Sequence, residues 1–225
     1  MEYLDYYSED GTYLGKNTRE FVHANGLWHK TIHCWLYDKF GNVYFQIRSN
    51  SGKMYTTASG HLNAGETVKD AFSREIREEI GIDLNVTDAK LVEINVWKQD
   101  KPNIKDRAFA NVYIYCITEE KTFNFDESEV LGLVKIKVTD ALQILRKESG
   151  EADAVKITNK GSETVKISLD NFLISGEEIG LIKYGKILQD IIRNTSNKIG
   201  NTKMFSYNRY LKCSHFINDI TIKTN

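Results

Sequence analysis

The apolar positions Val68, Ala71, Phe72, Ile76 and Ile80 recur at steps of three and four, which lines one side of a helix and predicts one over 67–80. Elsewhere the period shortens to two, or collapses into brief apolar runs rich in β-branched and aromatic residues. By that signal 3–7, 31–37, 43–48, 90–98, 108–118 and 130–138 read as strands. Asp38-Lys-Phe-Gly41-Asn42 joins the second and third of these into a hairpin, and Ser8-Glu-Asp-Gly11 supplies an earlier turn. Thr139 is placed to cap a helix running through Lys147. Further on, 152–158 and 163–168 flank the hairpin signal Asn159-Lys-Gly161-Ser162, and 178–193 returns to helical spacing from Ile179 to Ile191. Strands before and after a central helix predict a mixed α/β fold, a layered sandwich with its sheet covered on both faces.

The polar side of the 67–80 helix carries chemistry. Glu75, Glu78 and Glu79 stand at i, i+3 and i+4, so their Cβ atoms lie about 5–6 Å apart on one face. At about 100° per residue, Glu75 and Glu79 flank the apolar arc instead of facing water. Carboxylates at the rim of a buried stripe require a counter-charge. No organised Cys or His set is legible in the sequence, so the expected counter-charge is a hard divalent cation, Mg²⁺ or Mn²⁺, which takes oxygen ligands and is commonly shared with substrate phosphates. A Glu/Arg-rich helix alone is usually a solvated face. Here the motif is longer: Gly60, five residues, Glu66, seven residues, Arg74-Glu75, then Glu78-Glu79 and Gly81. Seven fixed identities at about 7% usage give on the order of 10⁻⁸ per starting position.

That pattern is the Nudix box, and the chain resembles the Nudix hydrolase family with every position of the motif filled. The resemblance implies a loop–helix–loop on an α/β/α sandwich that uses Mg²⁺ or Mn²⁺ to hydrolyse a diphosphate linked to another moiety, commonly a nucleoside diphosphate derivative. It implies Glu75, Glu78 and Glu79 as metal ligands, joined by the Gly60 carbonyl. Arg74 would orient Glu75, Glu66 would brace the loop, and Gly81 would let the chain leave the helix left-handed. Glu78 and Glu79 are the nearest general bases, while Glu127 or Glu129 could reach in from a loop, although a solvated connection is their more ordinary role.

Gly26-Leu-Trp28-His29-Lys-Thr-Ile-His33-Cys-Trp35 together with Ser59-Gly60-His61 resembles the branch of the family related to isopentenyl-diphosphate isomerase. That branch places a catalytic Cys where this chain has Ser59, a poorer acid and nucleophile than a thiol. It also carries two strand carboxylates where this chain has Phe109-Ala-Asn111-Val112. The hydrolase reading therefore leads, with an isomerase as runner-up and a catalytically silent ligand-binding domain as the reading from another class. Arg48 and Lys53 are candidate clamps for a distal phosphate, Trp97 a candidate stacking surface, and His29 and His61 candidate phosphate or metal contacts. His23 and His33 have weaker claims.

At 225 residues and 41% hydrophobic the chain can bury one sizeable core. The expected layout is a domain over 1–195, with the box at 60–82 and the hairpin and helix of 150–195 flanking it, then a basic and aromatic tail over 196–225. The tail reads first as a docked segment or homodimer arm. A net charge of −1 gives no global basic footprint for nucleic acid, so the expected partner is a small-molecule diphosphate. Cys34, Cys116 and Cys213 lack metal or disulfide spacing, no apolar stretch suits a membrane span, and the N-terminus lacks a signal pattern, so a cytoplasmic location is expected.

Overall fold

A strand buried on both of its faces belongs at the centre of a covered sheet. The run 28–38 is such a strand. In a computed structural model, which describes residues 1–101, 104–174 and 177–199, β3 (Trp28–Asp38) pairs in parallel with β8 (Ile104–Ile117) along its whole length. Its other edge takes three antiparallel partners in succession: β1 (Tyr3–Tyr7), β6 (Ala58–His61) and β4 (Asn42–Arg48). Beyond β4 the sheet continues through β9 (Val130–Lys137), β10 (Glu151–Thr158) and β11 (Gly161–Ser168). β2 (Tyr13–Thr18) pairs with β1, β5 (Met54–Tyr55) with β4, and β7 (Lys90–Lys101) with β8, which makes an 11-stranded mixed sheet.

Helices cover both faces. On one side α2 (Val68–Ile80) buries Phe72, Ile76 and Ile80 against Cys34, Leu36, Tyr44 and Ala58, at about 2 kcal/mol per large side chain. On the other, α3 (Val138–Leu145) and α4 (Glu177–Ile199) cover Trp35, Tyr37, Phe45 and Val134 with Leu142, Tyr184, Ile187, Leu188 and Ile191. This is the layered α/β sandwich expected from the alternation of strands and helices.

Several local readings change. β2 and the short α1 (Arg19–Ala24) were not read as elements. β3 and β4 share only the register pair Tyr37↔Val43, because β4 leaves to pair with β9 and opens a notch that β6 enters. Thr139 is not a cap: α3 begins at Val138 after Lys137, and the Thr139 hydroxyl donates to Asp140 instead. The tail read over 196–225 lies outside the described residues from position 200 onward. Among the described residues, no helix is long and apolar enough to cross a membrane.

Candidate active site

The α2 helix starts and stops on local chemistry. Thr67 caps it by accepting the Asp70 N–H at 3.2 Å, and Gly81 ends it at φ 71°, where its N–H reaches the Arg77 carbonyl. An added Cβ at Gly81 would collide with the Asn124 backbone. Between those ends the helix presents Glu75 and Glu79 toward the notch between β4 and β6, both buried, with Glu78 further out.

Each carboxylate has a different seat. Glu79 accepts the Ser59 N–H at 2.8 Å and faces Gln46 Nε2 at 3.4 Å. Glu75 lies against the Cα of Gly60, where a Cβ would overlap its carboxyl group. Arg74 gathers the rest: its Nε and Nη2 fork onto both Glu66 oxygens at 2.8 Å each. Its Nη1 meets Glu75 at 2.8 Å and Glu78 at 2.9 Å, and Nη2 also donates to the His61 carbonyl at 2.9 Å. Glu66 in turn accepts the Asn63 N–H at 2.8 Å and so ties the loop down.

One guanidinium thus serves Glu66, Glu75 and Glu78, and among the described residues Glu79 has no cation in hydrogen-bonding contact. Burial pushes the Glu75 carboxyl up to about 7 against the pull of Arg74. Burial pushes Glu79 further, to about 8, with Glu75 and Glu129 adding repulsion. The excess negative charge, the all-oxygen donors and a glycine where any side chain would displace Glu75 together suit a hard divalent ion. Glu75, Glu78, Glu79 and the Gly60 carbonyl are the groups that would hold it.

A pH dependence follows. Both folded values lie above the ordinary 4.5, so the folded state keeps protons that the unfolded chain has already released. The stability these groups contribute is full below that ordinary value and is lost as pH rises through 7 to 8. In a metal-free buffer the Tm is expected to fall by several degrees from about pH 5 to about pH 8 and to level off above that. Mg²⁺ should restore more at the upper end, where the carboxylates are already free of protons. A flat Tm across that range would contradict the seating of the glutamates.

The flanking residues divide. Arg48 lies over the Tyr55 ring, its Cζ 5.4 Å from the centroid, and its charge reaches Glu79. Glu129 sits close enough to raise Glu75 and Glu79 electrostatically, whereas Glu127 accepts from Asn159 at 3.2 Å. Lys53 is committed elsewhere, with its ammonium on the Asp170 carbonyl. Trp97 pairs with Ala108, which pairs with His29, so the three form one row across the sheet. His29 and His61 gather with His23, which has the weaker claim by sequence; the expectation that no organised His set exists is corrected. Asn111 is buried and donates to the Thr31 carbonyl at 3.1 Å, an ordinary structural contact.

Gly60→Ala is expected to unseat Glu75. The turnover number should fall roughly 100-fold from misplacement alone, with about 1–3 kcal/mol of overpacking cost. Steady-state kinetics together with urea denaturation check this, and wild-type values in both would show that Glu75 does not need the open glycine.

Comparison with known proteins gives the family. A NUDIX domain model matches residues 27–157. The chain is 33% identical over 156 residues to an uncharacterized Nudix hydrolase of Clostridium acetobutylicum, covering 64% of this chain and 74% of that one. It is 31% identical over 90 residues to an isopentenyl-diphosphate Delta-isomerase of Mycolicibacterium vanbaalenii, covering 37% of this chain and 49% of that one. A crystal structure from Deinococcus radiodurans aligns at 21% identity and a TM-score of 0.49, covering 67% of this chain and 91% of the other. With more than half of its length matched and the motif complete from Gly60 to Gly81, the chain belongs to the Nudix family.

Proposed function

We propose that the protein hydrolyses a diphosphate bond in a nucleoside diphosphate linked to another moiety, or in a related organic diphosphate, with Mg²⁺ or Mn²⁺ bound at the glutamate cluster. The observation that carries this reading is the charge imbalance: among the described residues Glu66, Glu75 and Glu78 share the single guanidinium of Arg74, and Glu79 beside them is buried on the Ser59 N–H and the Gln46 amide. When bound, the divalent ion would offset the phosphoryl charge and lower the pKa of an attacking water.

The chain's own residues do the positioning. Ser59 N–H and Gln46 hold Glu79 in place, Arg74 fixes the orientation of Glu75 and Glu78, and Glu66 anchors that arginine to the loop. Glu78, exposed to solvent beside Arg74, and Glu129, across the notch, are the candidate acceptors for the water's proton. Arg48, over the Tyr55 ring, is the candidate to meet a distal phosphate. Cys34 is buried, and burial raises its thiol far above the ordinary value, so it packs and does not react.

The test is a panel of nucleotide sugars, dinucleoside polyphosphates and prenyl diphosphates with Mg²⁺ or Mn²⁺, followed by ³¹P NMR. Cleavage of at least one diphosphate, abolished by EDTA, is expected. Binding without turnover would favour a silent domain, and double-bond migration in a prenyl diphosphate would favour an isomerase. The serine at position 59 and the Asn111 contact weigh against the latter.

A further inference from the structure

A strand at the rim of a sheet presents a row of backbone donors and acceptors, and folds usually guard that row with charge, a bulge or brevity. Among the described strands, β2, β11 and β7 end the sheet with one edge unpaired. β11 is guarded by ions: Glu163 pairs with Lys156, and Lys166 with Glu151 and Asp153. β2 is six residues long and its register slips opposite Tyr6 and Tyr7. β7 has neither defence along most of its length. It runs for 12 residues, and its ladder with β8 is regular from Glu93 onward.

The open side of β7 is apolar. Leu91, Ile94 and Val96 are 46%, 58% and 57% exposed. Their register partners are Tyr113, Asn111 and Phe109, so all three lie on the α2 face of the sheet, with the irregularity between Leu91 and Glu93 returning Leu91 to that face. There α2 reaches Tyr113 through Phe72 and leaves the three aliphatic side chains open. The opposite face of β7 is occupied, since Lys186 of α4 holds Glu93 and Val92 packs into the core.

The strand is complementary to itself. An antiparallel copy related by a two-fold axis through Asn95 sets Ile94 of each chain opposite Val96 of the other, so four aliphatic side chains close on one another. Past Glu93, Leu91 falls beside the stem of the second copy's Lys98, whose ammonium stays in water. On the α4 face Asn95 meets its own amide and Glu93 falls opposite Trp97. The charges within 91–98, Glu93 and Lys98, therefore never face a like charge. A net charge of −1 gives two copies little mutual repulsion.

We propose that β7 is a homodimer interface, in which two copies of this chain join edge to edge, antiparallel about Asn95, into one sheet running through both. Backbone pairing supplies the alignment, and burial of Leu91, Ile94 and Val96 supplies the driving force. β8 and β3 stand between this edge and the notch that takes the glutamates, so the dimer stands or falls independently of the diphosphate reading.

The experiment is sedimentation velocity on the full chain from about 1 to about 100 μM, because a dimer obeys mass action. Wild type is expected to sediment at twice 25.9 kDa. Ile94→Lys combined with Val96→Lys puts four ammonium groups at the centre of the contact. That variant should keep the circular dichroism of wild type and weaken the dimer at least about 100-fold. Asn95→Cys in a Cys213→Ser background should join two chains through a disulfide under mild oxidant, since residues directly opposite in an antiparallel pair lie about 4.5–5.5 Å apart at Cα. Glu163→Cys, on the guarded edge, should not. If the lysine variant fails to fold, the cross-link decides. A monomer throughout the range, a dimer that survives both lysines, or no cross-link at position 95 overturns the proposal. A monomer whose β7 amides resist hydrogen exchange only while residues 200–225 are attached would assign the edge to that segment, and would equally overturn it.

Discussion

Glu79→Gln is expected to lower the turnover number by about three orders of magnitude and, in the absence of metal, to make the protein more stable. The two effects come from one fact. Glu79 is buried with a backbone N–H and an amide as its contacts, and burial raises its carboxyl to about 8. The amide has nearly the same volume, keeps an oxygen for the Ser59 N–H and removes a charge that only a bound cation would compensate. Above about pH 8 in EDTA, the variant should therefore unfold at higher urea, by about 1–2 kcal/mol, with an unchanged m-value. With saturating Mg²⁺ the ranking should invert, because wild type alone gains the linkage energy of the ion. Turnover within threefold of wild type, or no crossing of the two stability curves, would remove Glu79 from the site.

Arg74→Ala is the second large effect, and here both activity and stability are lost. The guanidinium makes five hydrogen bonds that hold Glu66, Glu75, Glu78 and the His61 carbonyl in one arrangement. Its side chain is 26% exposed, so the cost of stranding those carboxylates is discounted from that of a fully buried pair, to about 2–4 kcal/mol. Arg74→Lys should recover little, since a single ammonium cannot fork onto Glu66 while also bridging Glu75 and Glu78. Added Mg²⁺ should return part of the stability of Arg74→Ala and little of its turnover, because charge is replaced and orientation is not. Denaturation with and without Mg²⁺, paired with initial rates, separates the two. A variant with wild-type stability and turnover would make Arg74 an ordinary surface residue.

The catalytic helix was legible because its causes are local. Apolar spacing, Thr67 as cap, Gly81 as stop and the carboxylate triplet all lie within fifteen residues of one another, and helix physics converts such spacing directly into a face. The strands of the core were legible as strands, yet their partners were not. Nothing near Val43 says that β4 departs from β3 after one register pair to join β9, and that departure creates the notch the glutamates enter. β2 gave no signal because Tyr13 and Leu14 are exposed and the strand has no apolar side, and α1 buries only Val22. Lys53 was attractive as a mobile cation after Gly52, but a backbone carbonyl from 117 residues away takes it.

The histidine cluster shows the same limit most clearly. His23, His29 and His61 have no common period, and each on its own is an unremarkable polar residue. Only the pairing of β3 with β6 and the placement of α1 bring their rings together. The signal that existed was positional: His29 lies in the segment that resembles the isomerase branch, and His61 directly follows Gly60 of the box. Glu129 reaches the cluster for a similar reason, since β9 begins beside Arg48 at the edge of the notch.

The measurement that tests the central claim most directly is a crystal of the protein soaked in Mn²⁺ and read by anomalous scattering. The expected result is manganese density within about 2.2 Å of carboxylate oxygens of Glu75 and Glu79 and of the Gly60 carbonyl, with Arg74 drawn off Glu75 and still forked on Glu66. Density absent from the cluster at saturating Mn²⁺, with Arg74 still bridging Glu75 and Glu78, would contradict it.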